Sequence, residues 1–340
     1  MKLADFNFDL PAERIARFPV DRRDESKLMV VNRQNNEISH FHFNAFPELL
    51  KAEDFLVINN SRVLPARLLG KIASKTAELL IVKKLAPRRL EVLCQPAAAF
   101  KIGAVFCTSD GLQAEVVEIG KRGRRLLFCD RDYEQVLKQG YAPLPPYIKR
   151  KGQQAELYRC YDLDRYQTVY AKKSGSIAAP TAGLHFTPQI LTHLRQSHPL
   201  LEITLEVGEA TFQKIEAEDI AAHCMGSEKI IVSHDVANSI RGLKNRGKKL
   251  LAVGTTTVRS LESYALLKPK AEKFNSDIFI SPGFPFRLVD KLLTNFHLPQ
   301  SSLFILVSAF AGLDLMKKAY TLAIEQKYRF FSYGDAMLII

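Results

Sequence analysis

The sequence predicts an α/β protein: a large body built on a mixed, largely parallel sheet, with a small all-β, barrel-like unit inserted into it. Three observations predict this. Beyond Gly175, strand-like apolar runs alternate with helix-period segments, a pattern that implies crossover connections. Between residues 68 and about 130 the texture is instead short alternating or apolar runs punctuated by glycines, as in small barrels and sandwiches. Mixed helix and strand signals precede that stretch, so the β texture reads as an insertion. The expected division is residues 1–67 with 144–340 as the body, and 68–143 as the insert.

The elements follow in order. Residues 28–32 and 55–60 read as strands, the first turned by Gln34-Asn35-Asn36. In the insert, runs at 78–83, 90–93, 104–106, 114–119 and 125–128 are separated by Gly103, Asp110-Gly111, Gly120 and Gly123. Pro143-Leu144-Pro145-Pro146 then forms a stiff extended link, because each proline fixes φ and restricts the residue before it. A strand is expected at 177–179. Thr187-Pro188 is an N-cap and first-turn pair for a helix whose apolar face is Ile190, Leu191 and Leu194. Residues 201–207 alternate as a strand, and Val236, Ala237, Ile240 and Leu243 mark a helix ending near Gly247. Residues 250–253 form a buried strand feeding Gly254-Thr255-Thr256-Thr257 and a helix from Val258. Residues 278–280 read as a strand. Ser301 or Ser302 caps a helix through Phe310, or 303–307 is a strand; periodicity leaves both open. A helix follows from Asp314 to about Lys327, and residues 336–340 form a final strand.

Composition bounds the class. The 340 residues are 47% hydrophobic and 25% charged, which excludes a largely disordered chain. Lysine and arginine number 48 against 36 acids, a net charge of +12 that attracts polyanions. Five scattered cysteines without a C-x-x-C pair read as buried, reduced thiols rather than a disulfide framework or zinc ribbon. The N-terminus has no apolar signal core, and the longest apolar run is too short to span a bilayer, so a cytoplasmic protein with no membrane partner is expected.

Familiar short signatures are absent: no Walker loop, G-x-G-x-x-G, H-E-x-x-H or G-x-S-x-G. The chemistry is expected at strand-end junctions, because open α/β sheets bind ligands beyond the carboxyl ends of their strands. The first junction spans 178–187, where Thr181, Gly183 and Phe186 accompany His185. The second is Gly254-Thr255-Thr256 with Arg259 and Glu262. Its hydroxyls and N–H groups suit a carboxylate or phosphate, while the plainer reading is an N-cap followed by an i, i+3 surface pair. The third is 293–299, with Asn295 and His297, and Asp277 is a candidate partner. These three segments are expected to converge on one pocket. His185 and His297 are the preferred proton-transfer groups there and Asp277 the fallback. Arg259 is expected to hold a carboxylate or phosphate, with Glu262 orienting it or touching a ribose hydroxyl. Residues 147–173 interleave aromatic and basic side chains, so Lys149, Arg150, Lys151, Arg165 and Tyr166 are candidate RNA contacts. Lys121-Arg122-Gly123-Arg124-Arg125 reads as a basic hairpin tip.

Several longer motifs complete the pattern: Asn59-Asn60-Ser61-Arg62-Val63-Leu64-Pro65-Ala66-Arg67, Leu144-Pro145-Pro146-Tyr147-Ile148, Arg165-Tyr166-Gln167-Thr168-Val169-Tyr170-Ala171, Thr294-Asn295-Phe296-His297-Leu298-Pro299 and Phe330-Phe331-Ser332-Tyr333-Gly334-Asp335. With the 179–186 and 254–259 junctions, they make the whole chain resemble the S-adenosylmethionine:tRNA ribosyltransferase-isomerases of the queuosine pathway. Two departures stand out. The family's G-x-G-T-F loop is Gly208-Glu209-Ala210-Thr211-Phe212 here, and Gly226 stands where the family usually has histidine. The resemblance implies that S-adenosylmethionine is a ribosyl-donating co-substrate rather than a cofactor, with no metal. It implies a tRNA partner carrying 7-aminomethyl-7-deazaguanine at the wobble position, an epoxyqueuosine product and release of adenine and methionine. A monomer is expected. The alternative is a catalytically decayed family member that binds tRNA. A methyltransferase is a weaker third, since the Gly-rich first turn of a Rossmann fold is missing.

Overall fold

The computed structural model describes residues 1–150, 153–208 and 215–340, without the side chain of Arg122. The strands are β1 (Lys27–Asn32), β2 (Glu37–His42), β3 (Asp54–Asn59), β4 (Ser61–Val63), β5 (Arg67–Ile72), β6 (Lys75–Ala86), β7 (Arg89–Gln95), β8 (Val105–Thr108), β9 (Gln113–Ile119) and β10 (Arg125–Cys129). They continue with β11 (Lys173–Ser176), β12 (Leu200–Glu206), β13 (Glu228–Ile231), β14 (Lys249–Val253), β15 (Lys273–Ser276), β16 (Lys291–Asn295) and β17 (Ala336–Ile339). The helices are α1 (Tyr133–Lys138), α2 (Gln153–Leu157), α3 (Arg159–Arg165), α4 (Pro188–Ser197), α5 (His234–Asn245), α6 (Thr255–Leu267), α7 (Ser302–Ala311) and α8 (Leu313–Glu325).

The body is built on a mixed sheet in the order β15-β13-β12-β3-β14-β16-β17-β1-β2. Its centre, β12-β3-β14-β16, is parallel, and the direction reverses at β13 on one side and at β17 on the other. Strands buried on both faces carry unbroken apolar runs, and β3 and β14 do so. Alternate side chains then serve different layers. Phe55, Val57 and Ala252 face a core shared with α5, α6, α7 and α8, while Leu56, Ile58, Leu251 and Val253 face α4 and a short turn of helix over Phe43–Leu49. The sheet is thus the middle of three layers.

Strands β5 to β10 close into a barrel, β10-β7-β6-β5-β8-β9, every pairing antiparallel. The period-2 runs supply its interior: Leu79 and Ile81 on β6, Leu90 and Val92 on β7, Ala114 and Val116 on β9. Closure removes the exposed strand edges that an open small sheet would carry. The α/β body with an inserted barrel is therefore the fold.

Local differences have local causes. Residues 177–179 form no strand: Ile177 donates one bond to Val207 at 2.9 Å, and Pro180 has no donor to continue the ladder. Residues 278–280 are unpaired as well, because the Ser276 hydroxyl accepts from the Ile278 amide at 3.3 Å and turns the chain out of β15. Helix α6 starts at Thr255 rather than Val258, directly after Gly254 at φ 90°. The ambiguous segment after Ser301 is helix α7, capped by the Ser301 hydroxyl on the Phe304 amide at 3.2 Å. Among the cysteines, Cys94 and Cys129 are buried, but Cys160 and Cys224 are exposed.

Candidate active site

Parallel strands deliver their carboxyl ends to one edge of a sheet, and a cleft opens there. Val207 follows β12, Gly254 follows β14, and Thr294 and Asn295 end β16; all four line the cleft. Residues 178–182, Tyr166, Phe331 and Ser332 line it as well. The three junctions 179–182, 254–256 and 294–297 therefore meet in one place.

The expected site residues divide by position. Thr181, Gly254, Thr255, Thr256, Asn295 and His297 line the cleft. Gly254 needs to be glycine for its backbone: at φ 90° a side chain is strained, and the amide still donates to Leu293 at 2.7 Å. The His297 ring is buried, with Nε2 2.9 Å from the Thr294 hydroxyl, and its backbone amide donates to the Tyr320 hydroxyl at 3.0 Å. Burial pushes the imidazole pKa down to about 3, so His297 is neutral near pH 7 and offers a lone pair, not a charge.

His185 lies behind the cleft wall and does not line it. Its Nδ1 is 2.7 Å from the Ser26 hydroxyl, its Nε2 is 3.2 Å from the Asn295 amide nitrogen, and its ring stacks on Phe43. Burial, together with the Arg329 and Arg23 charges, also depresses its pKa to about 3.

Four expected binding residues serve the scaffold instead. A Cβ on Gly183 would sit 1.9 Å from the Tyr170 hydroxyl oxygen, so glycine there permits packing rather than ligand approach. Phe186 is buried edge-on against Phe43 and Phe46. Arg259 is buried and pairs with Glu228, whose other oxygen accepts from the Gly208 amide at 3.3 Å. Glu262 neither orients Arg259 nor reaches the cleft. Its carboxylate accepts the backbone amides of Arg287, Leu288 and Val289 at 2.8, 3.0 and 2.9 Å. Asp277 is exposed just beyond β15 and is not part of the cleft wall.

The expected RNA contacts also scatter. Lys149 is exposed. Arg150 is buried: its guanidinium pairs with Asp162 at 3.1 Å, donates to the Arg17 carbonyl at 3.0 Å, and stacks over Phe18 at 4.0 Å. Arg165 donates to the carbonyls of Val20 and Asp21 at 2.6 and 3.0 Å. Arg165 is half-buried, and both guanidiniums supply donors to carbonyls of the 17–21 loop. Tyr166 is buried in the cleft wall. Lys151, the Glu209-Ala210-Thr211-Phe212 departure and the Arg122 side chain lie outside the described residues.

Sequence reasoning missed Phe331 and Ser332 as site residues. The signal was available in the Phe331-Ser332-Tyr333-Gly334 run, and the structure sharpens it: Phe331 has φ 76°, rare for an aromatic residue. Its amide donates to Phe296 at 2.9 Å, and its carbonyl accepts from Gly334 at 2.9 Å and from Asn295 at 3.2 Å.

With that geometry in place, the chain matches the family described as queuosine biosynthesis protein over residues 3–339. The chain belongs to this family. A relative from Desulfitobacterium hafniense, named S-adenosylmethionine:tRNA ribosyltransferase-isomerase, is 46% identical, with all of both chains covered. A protein of the same name from Halothermothrix orenii is also 46% identical over the full length of both. The crystal structure of S-adenosylmethionine tRNA ribosyltransferase from Thermotoga maritima is similar too, with a TM-score of 0.56 and 34% identity over 99% of this chain and 100% of that one. The queuosine family is thus matched from end to end, barrel included. Among the described residues, no helix is long and apolar enough to cross a membrane.

Proposed function

We propose that the cleft binds S-adenosylmethionine and that the protein transfers and isomerises its ribosyl group onto 7-aminomethyl-7-deazaguanine at the wobble position of a tRNA. Membership of the family makes the chain a tRNA-modifying transferase of queuosine biosynthesis. The observation that carries the finer reading is the convergence of the three junctions on one cleft at the carboxyl edge of the parallel strands.

The chemistry asks for a base near the ribose 5′ carbon, because the adjacent sulfonium acidifies those C–H bonds. Loss of adenine and attack by the amine of the modified base follow, and methionine departs as epoxyqueuosine forms. His297 is the proton-transfer group of this reading: it lines the cleft, it is neutral, and Thr294 fixes its ring. Thr255, Thr256 and the first amides of α6 supply donors for the methionyl carboxylate. Phe331 supplies an aromatic face for adenine. The proposal includes action as a cytoplasmic monomer.

No observation favours the non-catalytic alternative, since His297, Asn295 and the Thr255-Thr256 pair remain in the cleft. The deciding experiment incubates purified protein with S-adenosylmethionine. Adenine is expected only when tRNA carrying the aminomethyl base is added; no release under that condition overturns the proposal.

A further inference from the structure

A chain of buried polar groups runs from one backbone carbonyl to another through the back wall of the cleft. The Asn295 side-chain nitrogen lies 3.2 Å from the Phe331 carbonyl and 3.2 Å from His185 Nε2. His185 Nδ1 lies 2.7 Å from the Ser26 hydroxyl, which lies 3.4 Å from the Arg23 carbonyl. A carbonyl only accepts, so each end of the chain dictates the protons between. The Asn295 nitrogen donates to Phe331 and His185; His185 therefore carries its proton on Nδ1 and donates to Ser26; Ser26 donates to Arg23.

The consequence is an oriented acceptor. With both N–H groups engaged behind the wall, the Asn295 side-chain oxygen is left buried and without a partner. A buried polar atom of this kind calls for a partner, and Asn295 lines the cleft. The surroundings choose among donors. Among the described residues no carboxylate lines the cleft, which disfavours a cationic ammonium at this spot, and the Phe331 ring suits a flat heterocycle.

We infer that the Asn295 side-chain oxygen accepts a hydrogen bond from the 6-amino group of the bound adenine, and that His185 is a positioning residue that holds this amide in the accepting orientation. The inference rests on the reading of the cleft as an S-adenosylmethionine site and assigns its purine selectivity. His185 then transfers no proton in the reaction, in contrast to the role expected from the sequence.

The test compares binding of 5′-methylthioadenosine with that of its 6-oxo counterpart, 5′-methylthioinosine, to the full-length protein. Wild type is expected to prefer the amino compound by about tenfold or more, because the 6-oxo group sets two acceptors against each other. Asn295→Ala is expected to bind the two within about threefold of each other. His185→Gln offers both an acceptor and a donor and should keep the preference. His185→Phe keeps a ring against Phe43 but no acceptor, and should weaken the preference, with the Phe331 carbonyl left as the one group behind the wall that engages the amide. A preference undiminished in Asn295→Ala or His185→Phe overturns the inference. The ratio within one variant reads selectivity rather than stability. Should a variant fail to fold, nitrogen NMR of the wild-type imidazole decides. A neutral ring protonated on Nδ1 between about pH 5 and 8 supports the chain, and protonation on Nε2 overturns it. If wild type binds neither S-adenosylmethionine nor methylthioadenosine, the cleft reading fails. Equal binding of the two nucleosides by wild type leaves that reading standing and overturns only this inference.

Discussion

His297 and His185 are both neutral, yet they hold different positions relative to the cleft. His297 lines it, so His297→Gln is expected to lower kcat by about a hundredfold, within the range for loss of a general base, while KM for S-adenosylmethionine changes little. Steady-state kinetics with modified tRNA checks this; an unchanged kcat moves proton transfer away from the cleft's only lining imidazole among the described residues. Both histidines also make the fold acid-sensitive. Their folded pKa values of about 3 lie below the unfolded value near 6.5, so between those limits the unfolded chain binds more protons. Stability is therefore full above pH 6.5 and falls as pH drops toward 3. Each ring accounts for about 1.4 kcal/mol per pH unit, or about 2 kcal/mol between pH 6.5 and 5. Urea unfolding at several pH values should show a shallower acid slope in His185→Gln and in His297→Gln than in wild type.

Helix α6 shows how one element serves the site from one end and the scaffold from the other. Its first turn enters the cleft through Thr255 and Thr256. One turn on, Arg259 pairs with Glu228, and Glu262 gathers the amides of 287–289. Glu262→Ala would leave three backbone amides without their acceptor in a buried environment. A loss of about 3 kcal/mol or more is expected, read by denaturant unfolding, because each unpaired buried group costs on the order of 1–3 kcal/mol. The turn before α4 makes a parallel point. Gly183→Ala forces a methyl into Tyr170 and should cost about 1–3 kcal/mol as overpacking. Cutting back the phenol alone would not relieve it, since the ring carbon bearing the hydroxyl lies 2.8 Å from the new Cβ.

At the scale of the molecule, the net charge of +12 favours a polyanionic partner, but individual cations contribute only where their charge reaches solvent. Lys149→Ala is expected to reduce the slope of log affinity for tRNA against log salt by about one, the signature of a lost phosphate contact. Arg150→Ala should leave that slope unchanged and lower stability by about 3–5 kcal/mol, because it strands the buried Asp162 carboxylate. Burial pushes that carboxyl's pKa up against the opposing pull of Arg150, which underlines its need for the partner. A lower salt slope with intact stability in Arg150→Ala would restore that residue to the RNA interface.

Sequence alone determined the α/β class, the barrel's texture, most of the central strands and helices, and the three junctions that meet in the cleft. All rest on short-range information: the period of apolar residues, the chemistry of caps and glycines, and the rule that parallel strands end on one edge. The family followed from the same residues, because its motifs are contiguous runs. Only tertiary structure decided which polar side chains face the cleft. Arg150, Arg259 and Glu262 look like ligand-binding groups in one dimension, but partners remote in sequence or across a turn claim them: Asp162, Glu228 and the amides of 287–289. His185 and His297 are indistinguishable as sequence, and the wall between them separates the scaffold from the site. A folded chain satisfies buried donors and acceptors wherever the packing brings them together, and no periodicity encodes that matching.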